Sequence, residues 1–368
     1  MSIHVEDFEG VTEEVVGRLR ELRREVYSGD GHYCMPFEGT LWRELSRPEY
    51  EGRQKIFVVR RDHTLIGCVV ARRSESLTLE DRSVATLGNF EALNDSMAIR
   101  QLLEQATSWC YEEGSQLVIG PMNGDTWHDY RFNLGPRDER PFLLEPYNPA
   151  YYPEIWEECG FELLATYHSL RIDDPAAAAA EFRPRWQAAQ KAGYRVETMK
   201  LERLDRALDR VYDLVCVSFS DNFLYTPIER QSFKAKYEGI DALLDDEMSF
   251  FLVDSQGDDA GFAFVFPDYS RAISAMKGKK NLWAKVKFLA RRDRSCANIK
   301  TFCIAPRHRG RGLASAMAHQ YYRAIAEHGF DKANICLIHD DNVGSMKMAA
   351  GYGQVLRRYG LYRHHRSE

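Results

Sequence analysis

The chain has 368 residues, which is long for one domain and ordinary for two, and its 44% hydrophobic and 28% charged residues are those of a globular protein rather than a disordered or fibrous one. Lys and Arg number 49 against 55 Asp and Glu, a net charge of −6, so no global nucleic-acid signal exists. The eight cysteines are scattered without a Cys-x-x-Cys pair, and no stretch of about 18 apolar residues occurs, so a cytoplasmic protein without metal, membrane or nucleic-acid partner is expected.

Residues 11–27 carry Val15, Leu19, Leu22 and Val26 at helical spacing, with Arg18, Arg20, Arg23 and Arg24 expected on a solvated face. Residues 56–60 and 65–72 read as a hairpin turning at Asp62 and His63. A strand over 84–93, a helix led by residues 94–97 and ended by Gly114, and a strand over 117–120 follow. Residues 120–147 form a long loop crowded with aromatic and polar groups, which can serve function or simply pack. An Asn148-led helix reaches Gly160 and Phe161, and residues 167–172 are expected to finish this half.

Asp174 and Pro175 read as the cap and first turn of a linker helix, which Pro184 is expected to interrupt or end. The second half opens with a strand at 194–199 and a helix carrying Leu204, Leu208, Val211 and Leu214. A loop at 219–227 holds Asn222 and Tyr225, and a hairpin follows around Gly257. The basic residues near 277–280 and 291–294 are expected in a solvated connection.

The most informative stretch comes next. Residues 299–304 are a β-branched and aromatic strand stopped by Pro306. Arg307, His308, Arg309, Gly310, Arg311 and Gly312 then lead into a helix whose apolar residues recur from Leu313 to Ile325, ended by Gly329. Two glycines at a helix start let an anion approach unpaired backbone N–H groups, where the helix dipole and the arginines favour phosphate. Without Gly-Lys-Ser/Thr, the loop does not suit a nucleoside triphosphate with magnesium. A strand at 333–338 and a helix opened by Asn342 complete the unit.

The helix-ending Gly114 and Gly329 lie 215 residues apart, and the strand–helix–strand order around them repeats, so the chain reads as a tandem repeat of one α/β (α+β) fold. Domains are expected over 1–173 and 193–368, joined by the helix at 174–192.

Arg307, Gly310 and Gly312 match the Arg/Gln-x-x-Gly-x-Gly/Ala motif of the GCN5-related N-acetyltransferase (GNAT) superfamily, and the chain resembles its tandem two-domain members. The resemblance implies two domains, each a mixed, mostly antiparallel central sheet flanked by helices, and acetyl transfer from acetyl-coenzyme A to an amine. It places the cofactor on Phe302, Cys303 and Ile304 of the strand, on Arg309, Gly310, Arg311, Gly312, Leu313 and Ala314 of the loop and helix, and on Asn342, Ser345 and Met346. Ala349 stands where the family has its tyrosine; Tyr352 is the nearest tyrosine and His339 the nearest histidine, and these are the candidate catalytic groups.

Residues 94–97 lack glycine and carry Asp95, so the first copy is expected not to hold coenzyme A. The acceptor, a small-molecule or peptide amine, is expected where the domains face each other, among Trp127, Arg131, Glu145, Asn148, Asn222 and Tyr225. A non-catalytic acyl-coenzyme A binding protein is the alternative.

Overall fold

The computed structural model describes residues 2–237, 247–342, 344–346 and 353–366, which form two compact units. The first consists of Met1–Thr166, Ala272–Ala290 and Arg358–Glu368, and the second of Tyr167–Arg271 and Arg291–Arg357. The units are thus not cut where the chain would be cut in sequence order: residues 167–192 belong to the second, and 272–290 and 358–368 to the first.

The first unit opens with β1 (Ile3–Phe8) and α1 (Glu13–Val26), whose N-terminus is capped by the Thr12 hydroxyl accepting the Val15 N–H at 3.2 Å. α2 (Thr40–Leu45) precedes β2 (Gln54–Arg61) and β3 (Thr64–Leu79), a hairpin whose turn holds Asp62 at φ 52°. β4 (Arg82–Ala92), α3 (Ser96–Glu112) and β5 (Leu117–Gly120) follow as a strand–helix–strand unit with a parallel β4–β5 pair. β6 (Phe132–Gly135), α4 (Tyr151–Glu158) and β7 (Glu162–Ile172) come next. Strands β1 to β5 pair in chain order, with α3 on one face and α1 on the other.

In the second unit, Asp174 caps α5 (Pro175–Lys191) by accepting the Ala177 N–H at 2.9 Å. The helix runs through Pro184 instead of ending there. Pro184 is exposed, while Ala178, Ala179, Phe182 and Ala189 pack into the core, so burial outweighs the roughly 3 kcal/mol that an interior proline costs. β8 (Arg195–Thr198), α6 (Leu204–Ser218), α7 (Arg230–Lys236), β9 (Phe250–Val253) and β10 (Asp259–Pro267) follow. Then come α8 (Ser270–Met276) and α9 (Leu282–Arg291), whose residues 272–290 belong to the first unit, then β11 (Cys296–Ile304), α10 (Leu313–Glu327), β12 (Lys332–His339) and β13 (Gly353–His365), which belongs to the first unit from Arg358 on. The basic connection of 277–294 is therefore largely helical.

β8 to β11 are antiparallel neighbours, β11 and β12 are parallel, and residues 167–172 of β7 lie antiparallel beside β12. Those residues were expected to finish the first half; instead residues 358–365 of β13 take that place, antiparallel to β5 and β6. α5 and α10 cover one face of the second sheet and α6 the other.

The repeat is visible in a shared irregularity. Phe264 is opposite Thr301 but Val265 is opposite Ile299, so β11 bulges at Lys300. In β4 the span from Gly88 to Glu91 faces only Val70 to Cys68, and Asn89 sits at φ 47°. Each bulge precedes a strand–helix–parallel-strand crossover. Among the described residues, no helix is long and apolar enough to cross a membrane.

Candidate functional site

β11 and β12 are in register from Cys296 opposite Lys332 to Ile299 opposite Ile335, where the described pairing ends. β11 bulges at once, and β12 shifts register between Ile335 and Ile338, with Leu337 at φ 58° and its N–H given to the Ser169 hydroxyl at 3.1 Å. Beyond this point β11 continues beside β10 as far as Ile304, and the next residue, Ala305, donates to the Ala260 carbonyl at 2.9 Å. Alternation along the strand therefore turns the N–H groups of Phe302 and Ile304 away from β10, toward the side where the pairing with β12 has ended. The bulge also exchanges faces: Ile299, Phe302 and Ile304 all join the α10 core, which leaves Thr301 and Cys303 facing α6. Burial pushes the Cys303 thiol up to about 12, which makes it packing material rather than a nucleophile.

The loop after β11 makes one tight turn at Pro306–His308, then passes through Gly310 at φ 77° and Gly312 at φ 72°, conformations that favour glycine. Gly312 is the cap of α10 and brings no side chain; the Ala316 N–H returns to its carbonyl at 3.2 Å. Among the described residues, nothing accepts from the N–H groups of Gly310 through Ser315. A Cβ on either glycine would meet no atom within 4 Å, so the positive φ and not close packing is what calls for glycine here.

The arginines hold the loop. Arg309 donates to the carbonyls of Ile304 at 3.3 Å and Ser218 at 2.7 Å, and Arg311 donates to the Tyr194 hydroxyl at 3.2 Å. Arg307 donates through Nε to His308 Nε2 at 3.0 Å and lies 3.5 Å from Asp258. His308 Nδ1 is 3.0 Å from the Tyr194 hydroxyl, and burial, followed by the charges of Arg307 and Arg311, holds its imidazole below the usual range. Beside this brace a cleft of about 470 Å³ opens, lined by Arg185, Tyr194, Asp254, Arg311 and Gly312 among others. Leu313 is buried beneath the helix start and Ala314 is half-buried.

On the α6 face, His339 ends β12 between Tyr167, whose ring meets it edge-on at 4.7 Å, and Phe223 at 5.2 Å. Its Nδ1 accepts the Asp341 N–H at 3.0 Å, which assigns the proton of the neutral ring to Nε2. Asn342 accepts the Ser345 N–H at 3.1 Å on its side chain and the Met346 N–H at 2.9 Å on its carbonyl, so Asn342 itself caps the short helix. Asn222 is exposed in the turn after α6; the Tyr225 N–H donates to its carbonyl at 3.0 Å. The Tyr225 hydroxyl is held up by burial and by Cys216. Tyr352 lies outside the described residues.

The same crossover in the first unit is closed. β4 and β5 part after Thr86 opposite Ile119, but the Met122 N–H donates to Leu87 at 2.7 Å and the Asn89 N–H to the Asn123 side chain at 2.7 Å. The chain's own residues 122–123 thus fill the gap. At the helix start, the Asp95 carboxylate accepts the Ala98 N–H at 3.1 Å and grips Arg61 at 2.6 and 2.7 Å, so a carboxylate of the chain itself is the anion there.

The other residues singled out in this unit shape its loops. Asp125 accepts the Trp127 N–H at 2.9 Å, and the Arg131 guanidinium lies 3.6 Å from the centre of the Tyr130 ring. Glu145 accepts from the Phe142 N–H at 2.8 Å and from the Tyr359 hydroxyl; Asn148 accepts the Asn133 N–H at 2.7 Å.

Two buried polar groups escaped the sequence reading. Arg171, Asn334 and Asn298 form a chain across three strands at 3.3 and 2.9 Å, ending on an Asn298 Nδ2 that meets no acceptor among the described residues. The signal was an asparagine inside each apolar run, at 296–299 and 333–336. The second is Arg23, expected on a solvated face but bonded at 2.7 Å to the buried Glu91, whose carboxyl burial holds above its usual range. Among the described residues no group of three or more metal-ligating side chains is assembled.

Residues 208–353 match the Acetyltransferase (GNAT) family. No curated protein sequence matches the chain. Among solved structures, a tandem GNAT protein from the clavulanic acid biosynthesis pathway aligns over 100% of both chains with a TM-score of 0.56 at 13% identity. A GCN5-related N-acetyltransferase from Sphaerobacter thermophilus aligns over 99% of this chain and 95% of its own, with a TM-score of 0.52 at 11% identity. A GCN5-related glucosamine N-acetyltransferase region of a fungal multi-domain GH3 β-N-acetylglucosaminidase aligns over 98% of this chain but only 38% of that protein, with a TM-score of 0.54 at 12% identity. Such low identities carry the fold alone: the chain has the fold of tandem GNAT proteins, and within it residues 208–353 match the Acetyltransferase (GNAT) family.

Proposed function

We propose that this chain transfers an acetyl group from acetyl-coenzyme A to an amine, with the cofactor held only by the second unit. The observation that carries the reading is the run of six N–H groups, Gly310 through Ser315, without acceptors among the described residues, next to a strand edge from which β12 has parted. The residues fit the group: the helix start takes the diphosphate, and the Phe302 and Ile304 N–H groups take the amide and carbonyl oxygens of an extended arm. The cosubstrate supplies an acetyl group activated as a thioester.

The chain's own part is to align and polarise. A backbone N–H of β11 directed at the thioester carbonyl stabilises charge developing on its oxygen. Arg309 fixes the loop to the strand by its two carbonyl bonds, so that cradle and strand edge stay in one geometry. His339, with Nδ1 already filled, acts as a donor through Nε2 and not as the base in this arrangement. Phe223, His339, Asn222 and Tyr225 flank the acceptor side within the second unit. The first unit holds no coenzyme A, because residues 122–123 fill its gap and Asp95 supplies the anion.

Release of free thiol from acetyl-coenzyme A with a panel of small amines and peptides tests the reading. Binding without thiol release from any amine would favour a non-catalytic acyl-coenzyme A binding protein. That reading draws on one observation: from Thr301 to Ile304, β11 carries no carboxylate to serve as base.

A further inference from the structure

α9 presents its apolar side to solvent. Leu282 and Trp283 are each 75% exposed, Leu289 59% and Val286 47%, while Ala284 is buried and Phe288 half-buried. At about 100° per residue the four exposed residues span an arc of about 120°, centred about 180° from the midpoint of Ala284 and Phe288. The helix is anchored by one side and shows grease on the other. Lys285 and Lys287 border the arc, one on each edge, and residues 277–294 hold eight Lys and Arg against the single Asp293, in a chain of net charge −6.

The segment is firmly placed. Asn281 caps α9 by accepting the Ala284 N–H at 2.9 Å, the Glu38 N–H donates to the Gly278 carbonyl at 3.1 Å, and the Lys280 ammonium lies 5.0 Å from the Phe37 ring centre. Neither the exposure nor the charge follows from disorder of a loop.

We propose that α9 is a docking face for an anionic lipid surface, with Leu282, Trp283, Val286 and Leu289 entering the headgroup boundary and the flanking lysines meeting lipid phosphates. Charge complementarity selects this occupant. A second copy docked through the same face would set Lys285 and Lys287 of each chain against each other, a repulsive arrangement for a two-fold contact. An acidic protein groove would take the same apolar arc and is one of the outcomes of the test. A fluid surface needs only the outward arc, and a helix with Trp and Leu on one face and lysines at its margins is what such a surface retains. The expectation of no membrane partner rested on the lack of a spanning segment, which a surface helix does not require.

The test uses the full chain in cosedimentation with vesicles of phosphatidylcholine alone and of phosphatidylcholine mixed with phosphatidylglycerol. Binding to the anionic vesicles only, weakened by added salt, is expected. L282S/W283S should lower it at least about tenfold, and K285E/K287E by about fivefold per lysine lost, both with an unchanged urea unfolding midpoint as the check on folding. Equal binding by wild type and L282S/W283S, or no binding to anionic vesicles, overturns the proposal. So does a wild-type dimer that L282S/W283S turns into a monomer, which would assign the face to a second copy. Capture by an acidic amphipathic peptide without vesicle binding would assign it to a protein and equally overturn it. None of these outcomes depends on the acyl-transfer reading.

Discussion

Gly312→Glu separates an open anion cradle from an ordinary turn. Gly312 sits at φ 72°, and a Cβ placed on it would meet no atom within 4 Å, so a side chain adds no clash and only the left-handed backbone, worth about 1–2 kcal/mol, opposes it. Gly114 provides a matched control: φ 89°, no atom within 4 Å, and a place in the first unit after α3. Both substitutions should therefore lower stability to urea by about 1–2 kcal/mol. Only Gly312→Glu puts a carboxylate among the N–H groups of 310–315. Two unit charges about 4 Å apart at an effective dielectric near 20 repel by about 4 kcal/mol, and halving this for exposure leaves about 2 kcal/mol. Coenzyme A affinity, measured by titration calorimetry, should fall about 30-fold or more in Gly312→Glu and stay at the wild-type value in Gly114→Glu. Equal affinity in the two variants would refute the cradle.

The same titration should give one coenzyme A per chain; two equivalent sites would show that the gap beside β4 is not closed. Gly88→Ala would place a Cβ 2.3 Å from the Met122 carbonyl oxygen and 2.4 Å from Asn123 Oδ1, so it should destabilise by about 3 kcal/mol or more in urea unfolding without lowering coenzyme A affinity in the folded fraction. Arg309→Met removes the bonds to Ile304 and Ser218 and should cost about 1–2 kcal/mol of stability and weaken coenzyme A binding, with Arg309→Lys recovering less than half, since one ammonium cannot reproduce the fork. His308 is held below its unfolded value, so the unfolded chain binds the extra proton first: the stability it contributes is full above about pH 6.5 and is lost as pH falls from there toward the folded value. His308→Gln should flatten this part of a stability–pH curve, and an unchanged slope would remove His308 as its source.

Most elements were legible because periodicity and punctuation agree in them. α10 has its apolar residues at helical spacing between Gly312 and Gly329, and α3 has its Asp95 cap, so neither needs tertiary information. The glycine loop was legible for the same reason: positive φ is a local demand that glycine answers. What local sequence could not show was partnership. Residues 167–172 read correctly as a strand, yet nothing in an apolar alternation says which strand will lie beside it, and it lies beside β12. Arg23 fell on the polar side of α1 by spacing, but its partner Glu91 is 68 residues away. The role of Arg309 was likewise hidden, since its use depends on the Ser218 carbonyl at the end of α6. Basic residues near a glycine loop suggest anion contact, and spacing alone does not show that Arg309 also bonds the Ile304 and Ser218 carbonyls.

The two crossovers show why one copy can be finished and the other receptive. Wherever parallel strands part, the backbone groups between them lose partners, and buried polar groups without partners are costly. β4 and β5 solve this within the chain: Met122 and Asn123 bond to Leu87 and Asn89, and Asp95 meets the helix start. β11 and β12 part in the same way, but among the described residues the N–H groups of Gly310 through Ser315 meet no acceptor, and in the proposed function these groups and the strand edge at Phe302 and Ile304 take the cofactor. The unmet groups define that partner by their order along the chain: first an extended segment with amide or carbonyl oxygens, then an anion at a helix start with room for close approach. In the proposed function, affinity in the second unit and self-sufficiency in the first are two answers to the same backbone requirement, and binding to the open copy should add to its stability in proportion to the logarithm of ligand concentration over its dissociation constant.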